Sequence, residues 1–161
     1  MTTTTNRKRA GPRFDSPQQQ AYLQMWRTYD RLKVIEDELF LDYGITAQQY
    51  NALRLLQAAS EPVPTLTLAA RLISRAPDVT RLLDRLETMR YVRRSRLPND
   101  RRVVGVEITG QGRRLLAQIA APLRSCHRRQ LGHLSRPELA QLVRLLRKAG
   151  KPHEDDDSPW G

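Results

Sequence analysis

The residues in this sequence whose type and spacing are best suited to chemistry are arginines concentrated between positions 71 and 102. The ten arginines of this stretch are Arg71, Arg75, Arg81, Arg85, Arg90, Arg93, Arg94, Arg96, Arg101 and Arg102. The stretch holds four acids, so ten minus four leaves an excess of six positive charges. A guanidinium group forks onto phosphate or guanine and enters a narrow minor groove. The stretch therefore predicts contact with a nucleic-acid duplex, and the alternative is a basic surface that meets only solvent.

Hydrophobic periodicity predicts two helices between residues 66 and 86, separated by a break at residues 75–77. The apolar positions of the first helix are Leu66, Leu68, Ala69 and Leu72. Those of the second helix, spaced at i, i+3, i+4 and i+7, are Val79, Leu82, Leu83 and Leu86. Pro77 suits a first helical turn, where a backbone N–H has no partner.

After the second helix the apolar positions recur with a period of two, which predicts two β-strands. The first strand begins at Tyr91, and the second carries its apolar side chains at Val104, Val106 and Ile108. The turn-forming sequence Leu-Pro-Asn-Asp lies between them at residues 97–100. The predicted hairpin carries Arg101 and Arg102 at its tip, and this element order is that of a winged helix-turn-helix.

Three segments resemble the MarR family of bacterial transcriptional regulators: VTRLLDRLE at 79–87, YVRR at 91–94 and NDRRVVGVEITGQG at 99–112. In that family a recognition helix ends in D-R-L, a wing carries D-x-R at its tip, and L-T-x-x-G opens the next helix. The corresponding residues are 84–86, 100–102 and 108–112. The resemblance covers residues 17–149 in element order, although Ser-Arg-Ala-Pro-Asp at 74–78 replaces the commoner serine-rich cap.

The resemblance implies a mainly α fold with a small β-hairpin wing, in which N- and C-terminal helices serve dimerisation. We expect a winged helix domain at 17–149, with its DNA-binding lobe at 62–109 and dimerisation helices at 17–43 and 110–149. Residues 1–16 are predicted to be a disordered basic arm, and residues 150–161 a disordered acidic tail.

Residues at the helix ends add detail to this fold. The predicted N-caps are Ser16, Thr46, Thr109 and Ser135. Gln49 completes a capping box with Thr46, and Pro122 should bend the helix that follows the wing. The segment at 60–64, which contains two prolines, is predicted to be a turn.

The outward positions of the second helix and the wing are the candidate DNA-binding residues, namely Arg75, Thr80, Arg81, Arg85, Arg94, Arg96, Arg101 and Arg102. We expect Arg75, Thr80 and Arg81 in the major groove, and Arg94 and Arg96, like Arg93, on phosphates. Asp78 is interpreted as a partner of the helix dipole, with acceptance from cytosine N4 as the alternative.

The resemblance to the family assigns further roles within the wing. It implies that Arg102 reaches the minor groove, and it allows Asp84 to pair with Arg102 and so to fix the wing against the recognition helix. Asp84 and Asp100 are accordingly predicted to orient the wing.

Aromatic side chains recur at helical spacing in residues 17–43. They form either plain core or part of a ligand pocket, for which Trp26, Tyr29 and Tyr50 are the candidates. The resemblance implies relief of DNA binding by a small aromatic ligand. Apolar faces on both terminal helices predict a homodimer, whose recognition helices would lie roughly 34 Å apart on a pseudo-palindromic site.

Composition limits the remaining classes of function. The net charge is +11 and the pI about 10.8, and no apolar run approaches the roughly 20 residues that a membrane span needs. A single cysteine, Cys126, indicates a reducing cytoplasm and is interpreted as a buried thiol, with a redox sensor as the alternative. His127 and His133 lack metal-site spacing, and Gln111 stands where a phosphate loop needs lysine.

The sequence therefore predicts a cytoplasmic, nucleoid-associated, dimeric transcriptional regulator, a repressor without catalytic residues, metal or cofactor. One alternative is an architectural, weakly specific DNA-binding protein without an effector. Another is a helical protein-interaction module with an acidic partner, which would leave the Asp-Arg-Arg tip at residues 100–102 unexplained.

Overall fold

The computed structural model describes residues 14–73 and 78–154. These residues form helices α1 (Pro17–Asp42), α2 (Ala47–Ala58), α3 (Thr65–Arg71), α4 (Val79–Thr88), α5 (Gly110–Leu131) and α6 (Arg136–Gly150), and strands β1 (Val63–Pro64), β2 (Val92–Arg96) and β3 (Val104–Ile108). The chain divides between Val34 and Ile35 into two compact units. The mainly helical fold with a β wing is confirmed. Arg75, Pro77, most of the basic arm and most of the acidic tail lie outside the described residues.

The predicted N-caps lie where these helices begin. Ser16 Oγ accepts from the backbone N–H of Gln19 at 3.1 Å. Thr46 Oγ1 accepts from the N–H of Gln49 at 3.2 Å, while the Gln49 side chain accepts from the N–H of Thr46 at 2.9 Å. These caps satisfy N–H groups that the first turn leaves without a helical partner. The start of α2 is therefore specified by its own sequence.

The wing contains three strands, where the sequence predicted two. The antiparallel sheet has the order β1-β3-β2, with Val63 opposite Val106 and Val92 opposite Ile108. The interpretation of residues 60–64 as a turn was therefore wrong for Val63 and Pro64. A two-residue strand is too short to show a period, and proline is tolerated there because β1 is an edge strand.

The core of the second unit includes six fully buried side chains: Leu53, Leu68, Leu83, Leu86, Val106 and Ile119. Leu66 was predicted to belong to this core but is 85% exposed. Because each helical residue turns by about 100°, Leu66 lies on the opposite side of α3 from Leu68. Leu68 and Leu72, one turn apart, are both buried.

Exposed apolar side chains lie on the first and last helices. Tyr22, Trp26 and Tyr29 on α1 are 60%, 62% and 63% exposed, so they do not form core within one copy of the chain. No residue of α6 is buried, and Val143 and Leu146 on it are about half exposed. Helices α1 and α6 thus present apolar surface that one copy of the chain leaves in solvent.

The turn from α4 into β2 depends on a left-handed residue, Arg90, whose φ is 59°. Its N–H donates to the Glu87 carbonyl, and the Tyr91 N–H donates to the Leu86 carbonyl, which closes the helix. Glycine adopts this backbone without steric cost, so we expect Arg90→Gly to raise the free energy of unfolding by about 0.5–1 kcal/mol. Urea unfolding at fixed protein concentration would measure the change.

The matched control for this prediction is Arg113→Gly, which removes the same side chain from the ordinary helical backbone of α5. This variant should lose about 1 kcal/mol. A loss of stability of the same size in both variants would contradict the account of the turn.

Candidate nucleic-acid interface

Helix α4 presents a polar face to solvent because its apolar face is fixed in the core. Leu83 and Leu86 are fully buried, whereas Thr80, Arg81 and Arg85 are exposed, as the period predicted. Asp78 caps the helix, and its Oδ1 accepts from the Arg81 N–H at 2.8 Å. The Asp78 carboxylate is thereby engaged at the helix N-terminus, where the helix dipole favours negative charge.

The base of the wing is joined to the first turn of α5. The Thr109 N–H donates to the Tyr91 carbonyl at 3.0 Å, and Thr109 Oγ1 donates to the Arg90 carbonyl at 2.7 Å. A Cβ on Gly112 would overlap the Tyr91 carbonyl oxygen, so glycine permits this close approach. These contacts fix the point from which the hairpin projects.

The tip of the wing is ordered by two side chains. Asp100 Oδ1 accepts from the Arg102 N–H at 2.9 Å, and the Asp100 carbonyl accepts from the Val103 N–H at 3.0 Å. The Arg96 guanidinium donates to the Arg101 carbonyl at 2.9 Å. Asp100 and Arg96 therefore shape the loop, and the side chains of Arg101 and Arg102 are exposed at its end.

The flank of the wing carries a cross-strand ion pair. Arg93 Nε lies 2.7 Å from Glu107 Oε1, directly across the β2–β3 ladder. The hydrogen bond to Glu107 raises the pKa of Arg93. Much of the Arg93 charge expected on a phosphate is offset by this carboxylate.

Asp84 does not form the pair with Arg102 that the resemblance allowed. Its Oδ1 lies 2.7 Å from Arg94 Nη2, and so it contacts the side of the wing and not Arg102 at the tip. Arg94 follows buried Val92 by two residues in β2, and alternation turns both side chains toward α4. Arg94, which was predicted to bind a phosphate, is thus engaged by a carboxylate of α4.

This pairing could have been found in the sequence. Asp84 and Glu87 are three residues apart and share one face of the helix. Arg94 lies two residues after Val92 in the next strand, so its side chain is expected on the same, inward face as that of Val92. Its positive charge complements the two carboxylates.

The candidate ligand-binding residues lie on other helices, α1 and α2. Trp26 and Tyr29 are exposed on α1, while Tyr50 is half-buried on α2, with its ring centroid 4.9 Å from that of Phe40. Desolvation raises the pKa of Tyr50.

Cys126 is buried, with its Sγ 3.8 Å from the Ile35 carbonyl oxygen. Burial raises its pKa and disfavours the thiolate, which supports the interpretation as a packed thiol. No cluster of three or more His, Cys, Asp or Glu residues that could hold a metal is found within residues 14–73 and 78–154. None of the helices in these ranges is long and apolar enough to cross a membrane.

Comparisons with known proteins give a consistent result. The MarR family profile matches residues 45–104. A MarR transcription factor from Planctomyces limnophilus, known as a crystal structure, is 52% identical, with 84% of this chain and 98% of that chain covered and a TM-score of 0.66. A mutant MarR from E. coli complexed with operator DNA is 26% identical, with 81% and 93% covered and a TM-score of 0.74. The transcriptional repressor MprA of Escherichia coli K12 is 27% identical over 143 residues, which are 87% of this chain and 81% of MprA.

Proposed function

Because this chain belongs to the MarR family of winged helix-turn-helix transcriptional regulators, we propose that it is a sequence-specific repressor that binds its operator as a homodimer. Members of this family regulate transcription by binding DNA and are not enzymes. The main support for this proposal is that exposed arginines lie both on α4 and at the tip of the wing, and that α4 and the wing are joined to each other. Arg81 and Arg85 project from α4, Arg101 and Arg102 project from the wing tip, and the helix and wing are joined by hydrogen bonds and ion pairs.

The proposed division of contacts follows from where each side chain projects. The N-terminal half of α4 enters the major groove, where Thr80 and Arg81 meet base edges. Arg102 enters the adjacent minor groove, and Arg85 and Arg101 bind flanking phosphates. Arg96 contributes mainly by holding the tip, as its bond to the Arg101 carbonyl indicates.

The exposed apolar surface supports a homodimer. The aromatic side chains at the start of α1 and the leucines and valine of α6 are left in solvent by a single copy. Burial of such surface against a second copy is favourable in proportion to its area. A two-fold dimer would place two copies of α4 roughly 34 Å apart, which fits the half-sites of a pseudo-palindrome.

We further propose that a small aromatic ligand releases the DNA, with Trp26, Tyr29 and Tyr50 as candidate contacts. The ligand would act by binding more tightly to dimers whose recognition helices do not match the half-site spacing. The family resemblance supports this part of the proposal.

The experiment that tests the proposal is the sequencing of genomic fragments retained by the purified protein at physiological salt. We expect a short pseudo-palindrome, bound at least about a thousandfold more tightly than random DNA. The control is the Arg81→Ala/Arg102→Ala double variant, which should retain no enriched motif. Retention without a motif would support an architectural protein, and no retention at all would support a module for an acidic protein partner.

A further inference from the structure

Arg94 of β2 receives contacts from three residues of the recognition helix. Its Nη2 lies 2.7 Å from Asp84 Oδ1 and donates to the Thr80 carbonyl at 3.2 Å. Its Nε lies 3.8 Å from Glu87 Oε2, and its backbone N–H donates to Glu87 Oε1 at 3.2 Å. The side chain is only 23% exposed, and Nε is shielded from solvent without a hydrogen bond of its own. Arg94 is therefore a brace between helix and wing.

The brace spans a turn that would otherwise act as the hinge between the two DNA-facing elements. Helix α4 ends at Thr88 and β2 begins at Val92, so three residues connect them. Arg94 reaches back across this connection to the first and second turns of α4. Nη2 of Arg94 makes the contacts with both Asp84 and Thr80, while Nε lies toward Glu87. A guanidinium holds these two nitrogens in one rigid plane, whereas the ammonium of lysine has a single nitrogen and cannot occupy both positions.

The charge of Arg94 has a second consequence. Asp84 is 57% exposed on the helix that the proposed function places against DNA. An unpaired carboxylate there would repel phosphates, and the strength of that repulsion grows as water is excluded from the interface. Arg94 supplies the neutralising charge from within the protein.

Resting on the proposed function, we propose that Arg94 is a positioning residue for operator recognition. It sets the orientation of α4 relative to the wing, and it holds Asp84 paired and away from phosphates. The competing role is a direct contact between Arg94 and a phosphate, which the sequence alone had suggested.

The test measures affinity by fluorescence anisotropy on a fragment that the unmodified protein retains, beside thermal unfolding of every variant. Arg94→Lys keeps the charge that a phosphate contact needs but loses one of the two nitrogens that lie beside Asp84 and Glu87. We expect Arg94→Lys and Arg94→Ala to weaken binding by at least about tenfold. Affinity of Arg94→Lys within twofold of the unmodified protein would overturn the proposal.

Asp84→Asn gives an independent test, because the two roles of Arg94 predict opposite changes in DNA affinity. This test applies even if the Arg94 variants fail to fold. Removal of a negative charge that faces DNA should by electrostatics alone tighten binding, and a freed Arg94 would add to that effect. Loss of the brace predicts the opposite, a weakening of about threefold or more with a reduced melting temperature. Equal or tighter binding by Asp84→Asn would overturn the proposal.

Comparison of Asp84→Asn in two backgrounds, one with Arg94 and one with Arg94→Ala, completes the double-mutant cycle. In Arg94→Ala protein the carboxylate is already unpaired, so Asp84→Asn should there tighten binding. The same factor and sign in both backgrounds would show that Arg94 acts on DNA without Asp84. If the unmodified protein selects no DNA fragment, the proposed function fails, and thermal unfolding still reports whether Arg94 braces the fold.

Discussion

Arg102→Ala is expected to weaken operator binding by about 1–3 kcal/mol, which is roughly five- to 150-fold, and to leave the fold intact. Its side chain is exposed at the tip of the wing, while its backbone N–H is held by Asp100. The substitution therefore removes the guanidinium and keeps the hydrogen bond that shapes the loop. Fluorescence anisotropy on a retained fragment would measure the loss, with thermal unfolding as the check on the fold.

The matched control for Arg102 is Arg124→Ala, which removes an exposed arginine from α5 and makes the same change in net charge. Its effect should stay within about twofold, because charge far from the DNA is screened by salt. Equal losses of DNA affinity in the two variants would show that Arg102 contributes only through the net charge of the protein. If the Arg102→Ala protein bound the fragment as tightly as the unmodified protein, Arg102 would not be part of the DNA interface.

Leu83→Ala is expected to lower the free energy of unfolding by about 2–5 kcal/mol. The Leu83 side chain has no exposed area and lies in the core that holds the inner face of α4. Its truncation would leave a cavity under the recognition helix and loosen the helix in the groove. Operator affinity should therefore fall as well, even at temperatures at which the protein remains folded.

Leu66→Ala is the control for the leucine series, because Leu66 is largely in solvent on α3. Its free energy of unfolding should change by less than about 0.5 kcal/mol. Urea unfolding of both variants at one protein concentration would make the comparison. A destabilisation by Leu66→Ala that matched Leu83→Ala would mean that the buried face of the helix-turn-helix has been assigned incorrectly.

The sequence predicted those parts of the fold that depend on hydrophobic periodicity and on helix-capping residues. The inward face of α4 follows from Leu83 and Leu86, and the start of α2 follows from Thr46 and Gln49. These features are local, since each depends on residues within two turns of one another. The order of helices and hairpin could be predicted for the same reason.

The features that the sequence did not predict depend on contacts distant in the chain. Strand β1 exists because Val63 pairs with Val106, 43 positions away, and two residues carry no period of their own. Leu66 was misplaced because the phase of a short helix depends on its first residue, Thr65. The partner of Asp84 was misassigned because the family motif names the wing tip, whereas inward alternation in β2 brings Arg94 closer.

The aromatic side chains of α1 illustrate a different limit. Helical spacing predicts that a face is buried but does not say whether the cover comes from the same chain or from another. Trp26 and Tyr29 have the spacing of a core and yet are exposed in one copy. Their exposure is what supports the homodimer.

A hydroxyl-radical footprint of the purified protein on a retained fragment would show whether a dimer binds DNA through α4 and the wing. We expect two protected half-sites whose centres are about one helical turn, 10–10.5 base pairs, apart. Minor-groove protection should flank each half-site and disappear with Arg102→Ala. A single protected half-site, or uniform protection that Arg102→Ala leaves unchanged, would contradict a dimer that reads DNA through α4 and the wing.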